Sequence, residues 1–445
     1  MNAQLLRDQI ITHDWFPRRA AEYYRWYPKT LHQVDPLASV EVRASEIEGI
    51  YLHIPFCDEI CRFCPFNKQT TSEEVLDRYV TALVRQIEQL GGSAAAGGIS
   101  FVYFGGGTPS VLTARQVEKI LDAIARRCSI GNTVEITLEA HPRDCTDEYL
   151  SQLKSAGVNR ISSGVQSFSD RILSTIHATH TAELSHGAVA AMSKNFDNWG
   201  LDLLYRCPGQ STGAWEEEFK TLSNYASPAH ISCYSLFLPD DSAQPTAVED
   251  VDQAIIAQTI LEDAGFAHYA SCATGGFDYA KPGHECAYEK RHWGAPQASY
   301  AAFGSGAIGF LSGRTTVNYH DTSRYIEAVE KGRSTIFLTS KPDTKELKRR
   351  FMVLGVKVLE VDLRQYEQAF ESSAQIDFED EFRSLEEGGM IGVNATTLKL
   401  TNLGRYYVDQ ISEVFWSSRE RDTLHPETSA LRAMEQKAYA AIRKT

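Results

Sequence analysis

The sequence lacks long apolar runs, an excess of basic residues and internal repeats, and each absence excludes a class of protein. No apolar run approaches the roughly 18 residues that a membrane-spanning helix needs. The first residues include acidic side chains and no apolar core, so we do not expect a secretory signal there. The net charge of −14 disfavours nucleic acids and anionic membranes as partners, since both attract basic surfaces. We therefore expect a cytoplasmic protein that binds neither.

Cysteine is also scarce, with nine residues in 445, and the odd number disfavours a disulfide framework. Six of the nine are scattered, and we expect most of them to be small buried apolar residues: Cys128, Cys145, Cys207, Cys233, Cys272 and Cys286. A second C-x2-C pair, which a structural zinc site usually needs, is missing. His284, Cys286 and His292 resemble metal ligands superficially, but their spacing is weak evidence and we interpret the segment as a polar loop.

The three remaining cysteines, Cys57, Cys61 and Cys64, form a C-x3-C-x2-C pattern directly after an apolar, strand-like run. Three thiolates so close on one loop can hold three corners of a [4Fe-4S] cluster and leave the fourth iron without a protein ligand. An open iron is what a cluster needs in order to bind and cleave a small molecule. A zinc site and cysteines without any bound metal stay open as alternatives at this point.

Strand-like and helix-like segments alternate after residue 49. The predicted strands are Ile50–Ile54, Ile99–Phe104, Val134–Leu138, Arg160–Val165, Leu201–Tyr205 and Ile231–Phe237. Helical patterns such as Glu73–Leu90 and Ala114–Arg127 lie between them. This alternation predicts parallel βαβ units in an α/β fold, a partial (β/α)6 barrel of the TIM type. The chemistry of such a barrel lies at the carboxyl ends of its strands.

Glycine and polar residues stand at these strand ends. They are Gly105, Gly106, Gly107 and Thr108 after the second strand, Glu139 after the third, Gln166 after the fourth and Asp202 on the fifth. Three glycines let the backbone approach a ligand closely and offer N–H groups, or they form only a tight turn. A carboxylate at a strand end can accept from an ammonium or a hydroxyl. From the residues alone, a solvated glutamate is the simpler interpretation of Glu139.

The cysteine pattern behind HIPF, together with the GGGTP, LEAHP and GVQSF segments, resembles the radical S-adenosylmethionine (SAM) superfamily. Within it the chain resembles the HemN-like family of oxygen-independent coproporphyrinogen III dehydrogenases. The resemblance implies a [4Fe-4S] cluster on the three cysteines, one or two SAM molecules, and reductive SAM cleavage to a 5′-deoxyadenosyl radical. It also implies a small-molecule substrate and a reductant such as flavodoxin or ferredoxin. The SAM contacts that it implies are Tyr51, Phe63, Gly105, Gly106, Gly107, Thr108, Glu139, Gln166 and Asp202.

The chain departs from the family pattern at three positions, which concern one SAM contact and the substrate. Phe66 stands where coproporphyrinogen dehydrogenases carry another cysteine, and Ala178 replaces a family arginine, for which His177 or His180 is a candidate substitute. Arg206 replaces a glycine at a strand end, where a substrate or second SAM would lie. We therefore expect methyl or methylene transfer from a second SAM, as in class C methyltransferases and cyclopropane-forming relatives. The alternative is a porphyrin- or heme-directed enzyme or a non-catalytic heme carrier.

The predicted division has three parts: an N-terminal arm at residues 1–48, the barrel with its extension at residues 49–335, and a C-terminal domain with a helical tail at residues 336–445. The arm contains the segment YYRWYP, in which Tyr27 is either a packing residue or part of a lid over the substrate. Gly306 and Ala307 resemble a family segment that approaches a ligand or the barrel rim. The C-terminal part resembles the family's small winged-helix-like α+β domain, and its acidic surroundings argue against DNA binding.

Overall fold

The computed structural model describes residues 3–17, 26–34, 42–64, 66–92, 98–236, 245–272, 275–294 and 298–423. Its strands are β1 (His32–Gln33), β2 (Gly49–Ile54), β3 (Phe101–Gly106), β4 (Glu135–Ala140), β5 (Arg160–Gln166), β6 (Trp199–Tyr205), β7 (His230–Ser235), β8 (Ala267–Ala270), β9 (Gly276–Ala280), β10 (Tyr300–Phe303), β11 (Ile308–Leu311), β12 (Arg314–Asn318), β13 (Ile336–Thr339), β14 (Glu360–Asp362), β15 (Ile391–Val393) and β16 (Thr397–Leu400).

The helices are α1 (Ala3–Thr12), α2 (Glu73–Glu88), α3 (Ala114–Arg127), α4 (Asp147–Ser155), α5 (Asp170–Thr175), α6 (Ala182–Asn195), α7 (Thr212–Leu222), α8 (Ala247–Asp263), α9 (Ala287–His292), α10 (Thr322–Glu330), α11 (Thr344–Gly355), α12 (Leu363–Phe370), α13 (Ala374–Asp377), α14 (Glu379–Glu387), α15 (Asn402–Tyr406), α16 (Val408–Val414) and α17 (Ser418–Arg421). Short 3₁₀ helices occupy Ala44–Glu46, Pro109–Val111, Pro142–Asp144 and Val356–Val358.

Thirteen strands form one sheet, in the order β1-β13-β12-β11-β10-β2-β3-β4-β5-β6-β7-β9-β8. All neighbours from β10 through β7 are parallel, and antiparallel strands extend the sheet beyond both of them. Strands β2 to β7 are the six that the sequence predicted for the partial barrel, so the predicted fold class is confirmed. Parallel strands are covered on both faces, which explains the nearly continuous burial of β2 and β3.

The crossover helices begin at capping residues that the sequence supplies. Ser72 accepts the N–H of Val75 at the start of α2, and Thr113 forms a capping box with Gln116 at the start of α3. Each of these helices buries one apolar stripe and exposes a charged one. The helices thereby return the chain so that the carboxyl ends of all the parallel strands meet at one edge, where the candidate site lies.

Two segments outside the predicted barrel join the main sheet. Strand β1, from the predicted arm, pairs with β13, and β13 pairs with β12.

The C-terminal part has a separate sheet in the order β14-β16-β15, and short helices surround it, as in a small α+β domain. The domain boundaries stay a prediction, and Tyr23, Tyr24 and the predicted tail beyond Thr423 lie outside the described residues. No helix in the described residues is long and apolar enough to cross a bilayer.

Candidate functional site

The cysteine loop, which runs between Pro55 and Gln69, leaves the carboxyl end of β2 and returns beside its own start. The N–H of Cys57 donates to the Gln69 carbonyl at 3.0 Å, and the N–H of Gln69 donates to the Pro55 carbonyl at 2.8 Å. Further along, the N–H of Cys64 donates to the Cys61 carbonyl at 3.4 Å. These bonds close the loop at its base and hold all three cysteines at the open end of the barrel.

Each cysteine of this loop has a polar neighbour of its own. The three pairs are the Thr108 hydroxyl with Cys57 Sγ at 3.2 Å, the Thr179 hydroxyl with Cys61 Sγ at 3.5 Å, and the Lys68 ammonium with the Cys64 carbonyl. Burial raises the pKa of the Cys57 and Cys64 thiols, and the neighbouring cysteines raise it further. The loop therefore gathers three thiols, and positive charge close by would favour the ionisation of Cys57 and Cys64.

This donor set fits an iron–sulfur cluster better than a single metal ion. In the part of the chain that the structure describes, only His230, Asp278 and Glu289 bring three metal-binding atoms within 4.8 Å of one another. The three thiols are thus spread more widely than the ligands of one ion. The corners of a cubane cluster need such wider spacing, and thiolates are the ligands that its irons prefer. The cysteines therefore fit as the residues that would hold a [4Fe-4S] cluster.

The glycine turn at the end of β3 packs directly against the cysteine loop. The N–H groups of Gly107 and Thr108 donate to the carbonyls of Ile54 and Phe56, each at 2.8 Å. A Cβ on Gly107 would lie 2.8 Å from the Phe56 carbonyl oxygen. Gly106 has a φ of 120°, a value that favours glycine. The N–H groups of Gly107 and Thr108 are therefore used inside the protein, as in the tight-turn alternative, and a contact of the turn with SAM stays a prediction.

Two carboxylates, Glu139 on β4 and Asp202 on β6, lie close enough for the charge of Glu139 to act on Asp202. Glu139 accepts a hydrogen bond from the Tyr103 hydroxyl at 2.6 Å and another from the N–H of Gly106. Burial raises the pKa of Glu139. Burial, together with the charges of Glu139 and Asp278, raises the pKa of Asp202 to about 8. A cationic group bound between these carboxylates would relieve their repulsion, so the pair is suited to an ammonium and to hydroxyls.

Aromatic rings form one wall beside the glycine turn. Tyr51 on β2 stacks on Tyr103 with centroids 6.0 Å apart, and Tyr288 of α9 lies 5.2 Å from Tyr51 and 4.8 Å from Tyr103. The Tyr51 hydroxyl lies 3.2 Å from Nδ1 of His53. A Cβ on Gly105 would come within 3.2 Å of that hydroxyl. The predicted contacts Tyr51 and Gly105 are therefore neighbours, whereas Tyr288 joins them only through the tertiary fold.

Two strands end in residues with left-handed backbone conformation. Gln166 ends β5 with a φ of 62°, and Arg206 follows β6 with a φ of 61°. The N–H of Arg206 donates to the Gln253 side chain at 3.0 Å, which holds this turn in place. Non-glycine residues adopt this conformation rarely, and such strain is concentrated at binding and active sites. The contacts of Gln166 and Arg206 with SAM or substrate stay predictions.

The position of the missing arginine, Ala178, belongs to the same apolar surroundings as Phe63. Both Phe63 and Ala178 pack on one apolar group that includes Ile172 and Ile176 of the α5 region. Ala178 therefore presents an apolar surface where an arginine would present a charge. His180 is buried and its Nε2 lies 2.9 Å from the Val165 carbonyl, whereas His177 is exposed and lies 3.3 Å from Arg62 of the cysteine loop. His177 therefore contacts the cysteine loop through Arg62, whereas His180 contacts the backbone of β5.

Tyr27 and Gly306 occupy different surroundings. Tyr27 is fully buried, and its hydroxyl donates to Glu346 of α11 at 2.8 Å. These contacts favour the interpretation of Tyr27 as a packing residue. Gly306, with a φ of 74°, packs against the cysteine loop, since a Cβ there would lie 2.4 Å from Nδ2 of Asn67. Ala307 is buried next to it. Contacts of Tyr27, Gly306 and Ala307 with a substrate or second SAM stay predictions.

A buried polar group inside the barrel was missed by the sequence analysis. His230, Asp278 and Glu289 meet there, and the Tyr269 hydroxyl lies 2.8 Å from Nε2 of His230 and donates to Glu289. Burial raises the pKa of Glu289 and, with the charge of Arg160, lowers that of His230. His230 lies on β7, Asp278 on β9 and Glu289 on α9, so the group becomes visible only once the tertiary fold is known.

Three sequence comparisons show which known proteins this chain is similar to. The family model of the Radical SAM superfamily matches residues 51–222. The heme chaperone HemW of Lactococcus lactis is 29% identical over 82% of this chain and 96% of that protein. HemW of Escherichia coli K12 is 32% identical over 63% of this chain and 77% of that protein.

Two further likenesses concern a relative and a solved structure. An anaerobilin synthase of Escherichia coli O157:H7 is 26% identical over 81% of this chain and 82% of that protein. The solved structure of coproporphyrinogen III oxidase (HemN) from Escherichia coli, described as a radical SAM enzyme, superimposes with a TM-score of 0.71. It is 21% identical and covers 84% of this chain and 91% of that chain, so it is evidence for the fold.

Proposed function

Since this chain belongs to the HemN/HemW family of the radical SAM superfamily, we propose that it is a heme-directed radical SAM protein. Cys57, Cys61 and Cys64 would hold the [4Fe-4S] cluster, and SAM would bind between the cysteine loop and the strand ends. Together these cofactors supply the reductive cleavage of SAM, a step that a polypeptide cannot perform by itself. Heme, or a closely related tetrapyrrole, is the proposed ligand at the same open end of the barrel.

The observation that carries the SAM site is the pair of buried carboxylates on β4 and β6. Burial raises the pKa of both carboxylates, and the charge of Glu139 raises that of Asp202 further, so a ligand that brings an ammonium between them binds with a favourable charge contribution. SAM has an amino group for one carboxylate and ribose hydroxyls for the other. Tyr51 and Phe63 are proposed to offer aromatic surface to SAM, which would help to exclude water from the reacting groups.

The names of the relatives support heme over the methyl transfer that the sequence analysis favoured. HemW relatives are called heme chaperones, and one of them matches this chain over 96% of its own length. None of the relatives reported above is named a methyltransferase or a cyclopropane-forming enzyme. The heme-directed alternative therefore replaces methyl transfer as the proposed role.

Arg206 is the proposed partner for a heme propionate. A guanidinium binds a carboxylate through two parallel hydrogen bonds, and a half-buried position strengthens such a pair. Arg206 is half-buried at the carboxyl end of β6, the strand that also carries Asp202. Its left-handed backbone directs the residue away from the regular strand, and the Gln253 side chain fixes that turn.

A heme titration under anaerobic conditions tests this proposal. The reconstituted protein is titrated with heme while its absorbance is recorded, and SAM with a strong reductant is then added. Stoichiometric heme binding with 5′-deoxyadenosine formation supports the proposal. Recovery of intact heme would assign a carrier, whereas loss of heme coupled to 5′-deoxyadenosine would assign a heme-modifying enzyme. Absence of heme binding, with S-adenosylhomocysteine released in the presence of another substrate, would contradict it in favour of methyl transfer.

A further inference from the structure

Thr179 lies between a cysteine of the loop and a histidine. Its hydroxyl oxygen is 3.5 Å from Cys61 Sγ and 3.1 Å from Nε2 of His141. Thr179 belongs to the connection between α5 and α6, and His141 directly follows β4. Both side chains are half-buried, so solvent competes only weakly for this contact. The three groups form a continuous chain that ends on one proposed cluster ligand.

The direction of the hydrogen bonds follows from the other nitrogen of His141. The N–H of Arg143 donates to Nδ1 of His141 at 3.2 Å, so Nδ1 is an acceptor and carries no proton. A neutral imidazole then has its proton on Nε2, which donates to the Thr179 oxygen. A cysteine sulfur that ligates the proposed cluster has lost its proton and can only accept, so the Thr179 hydroxyl then directs its own proton to Cys61 Sγ.

The surroundings keep His141 neutral and fixed. Burial, together with the nearby His180 and Arg143, lowers the pKa of His141 to about 3. Arg143 pairs with Asp58 of the cysteine loop at 2.5 Å and with Asp144 at 3.1 Å, which connects the turn after β4 to that loop. His141 also caps the short 3₁₀ helix Pro142–Asp144, so its ring orientation is determined by the main chain.

We propose that His141 and Thr179 form a hydrogen-bond relay that directs a hydroxyl proton to Cys61 Sγ and raises the reduction potential of the cluster. This inference rests on the proposed function, in which Cys61 is a cluster ligand. Hydrogen bonds to the sulfurs stabilise the more negative, reduced state of an iron–sulfur cluster. Thr179 is the donor and His141 is a positioning residue, because it acts on the cluster only through Thr179.

The relay predicts a specific pattern of reduction potentials. Thr179→Val keeps the side-chain shape but removes the donor, so the potential falls, by about 59 mV for each tenfold loss in the ratio of reduced to oxidised cluster. Thr179→Ser is the matched control and retains the potential of the native protein. His141→Asn preserves the cap on the Arg143 N–H but is too short to hold Thr179, so it lowers the potential by less. In the double variant that combines Thr179→Val and His141→Asn, the reduction potential falls no further than in Thr179→Val alone.

The measurement is a redox titration followed by electron paramagnetic resonance, on reconstituted proteins with matched iron and sulfide contents and without SAM. A fully loaded Thr179→Val variant with the native potential would overturn the relay and leave the proposed function intact. Additive shifts in the double variant would show that His141 does not act through Thr179. If Thr179→Val fails to assemble a cluster, Thr179→Ala takes its place in the same comparison. Failure of the native chain to bind a cluster would overturn the proposed function itself.

The proton position on His141 provides a test that needs no cluster. In the protein without cluster, ¹⁵N-histidine NMR at neutral pH is expected to show His141 as the neutral form protonated at Nε2. Assignment of the signal uses the His141→Asn variant. A ring protonated at Nδ1, or at both nitrogens, would contradict the proposed direction of the relay.

Discussion

Gly107→Ala tests how the glycine turn shapes the cysteine loop. A Cβ at residue 107 would lie 2.8 Å from the Phe56 carbonyl oxygen and 3.0 Å from both the Ile54 carbonyl oxygen and the Phe56 nitrogen. All three are backbone atoms, so no side chain can rotate to make room. Two hydrogen bonds of 2.8 Å hold the turn against the same backbone. We expect the substitution to lower the free energy of unfolding by about 1–3 kcal/mol, as overpacking does elsewhere.

The assay has two parts, because the added methyl group displaces the first residues of the cysteine loop. Urea unfolding of the protein without cluster gives the stability, and iron content after reconstitution gives the effect on the loop. We expect less bound iron as well as lower stability. Gly187→Ala in α6 is the matched control: residue 187 is exposed with nothing within 4 Å of a Cβ, so alanine should add about 0.5–1 kcal/mol. Unchanged stability and full iron content in Gly107→Ala would refute the close-approach argument.

Three further changes have defined outcomes. The pKa of Asp202 is raised from 3.8 to about 8, so between these values the folded protein keeps a proton that the unfolded chain has lost, and stability falls as pH rises. Between about pH 4 and 8, the free energy of unfolding measured with urea should therefore fall less in Asp202→Asn than in the native protein, by on the order of a few kcal/mol. An unchanged dependence on pH would count against the raised pKa of Asp202. Arg206→Gly should weaken heme binding roughly tenfold or more in an absorbance titration, although it relieves backbone strain. Native affinity for heme would show that Arg206 does not bind heme. Tyr27→Phe should lower the free energy of unfolding by about 1–3 kcal/mol and leave the rate of SAM cleavage unchanged. Slower SAM cleavage at native stability would instead favour the interpretation of Tyr27 as part of a lid over the substrate.

The partial barrel could be predicted because its strands and helices are each encoded locally. Apolar runs of strand length alternate with capped amphipathic helices, and this alternation admits few topologies. The strand β10 was not predicted, since Tyr300–Phe303 is short and its two alanines give little strand preference. Its parallel pairing with β2 depends on the tertiary fold, as does the pairing of β1 with β13.

The candidate site divides in the same way. The cysteines and the residues at strand ends are close in sequence to features that can be recognised, so their positions at one edge of the sheet could be predicted. Thr179, Tyr288 and the His230 group enter the site from distant elements, and no local pattern marks them. Glycine in a turn predicts close approach but cannot show whether an N–H is still available, and the N–H of Gly107 donates to the Ile54 carbonyl instead.

The proposed cluster ligands can be tested most directly by iron binding in matched cysteine variants. Anaerobic reconstitution of the native chain should give about four irons per chain, the brown absorbance of a [4Fe-4S] cluster, and 5′-deoxyadenosine when SAM and a strong reductant are added. Replacement of Cys57, Cys61 and Cys64 by alanine should abolish all three, whereas Cys128→Ala, a change at a buried cysteine outside the loop, should abolish none. A triple variant that still binds four irons and cleaves SAM would contradict the account.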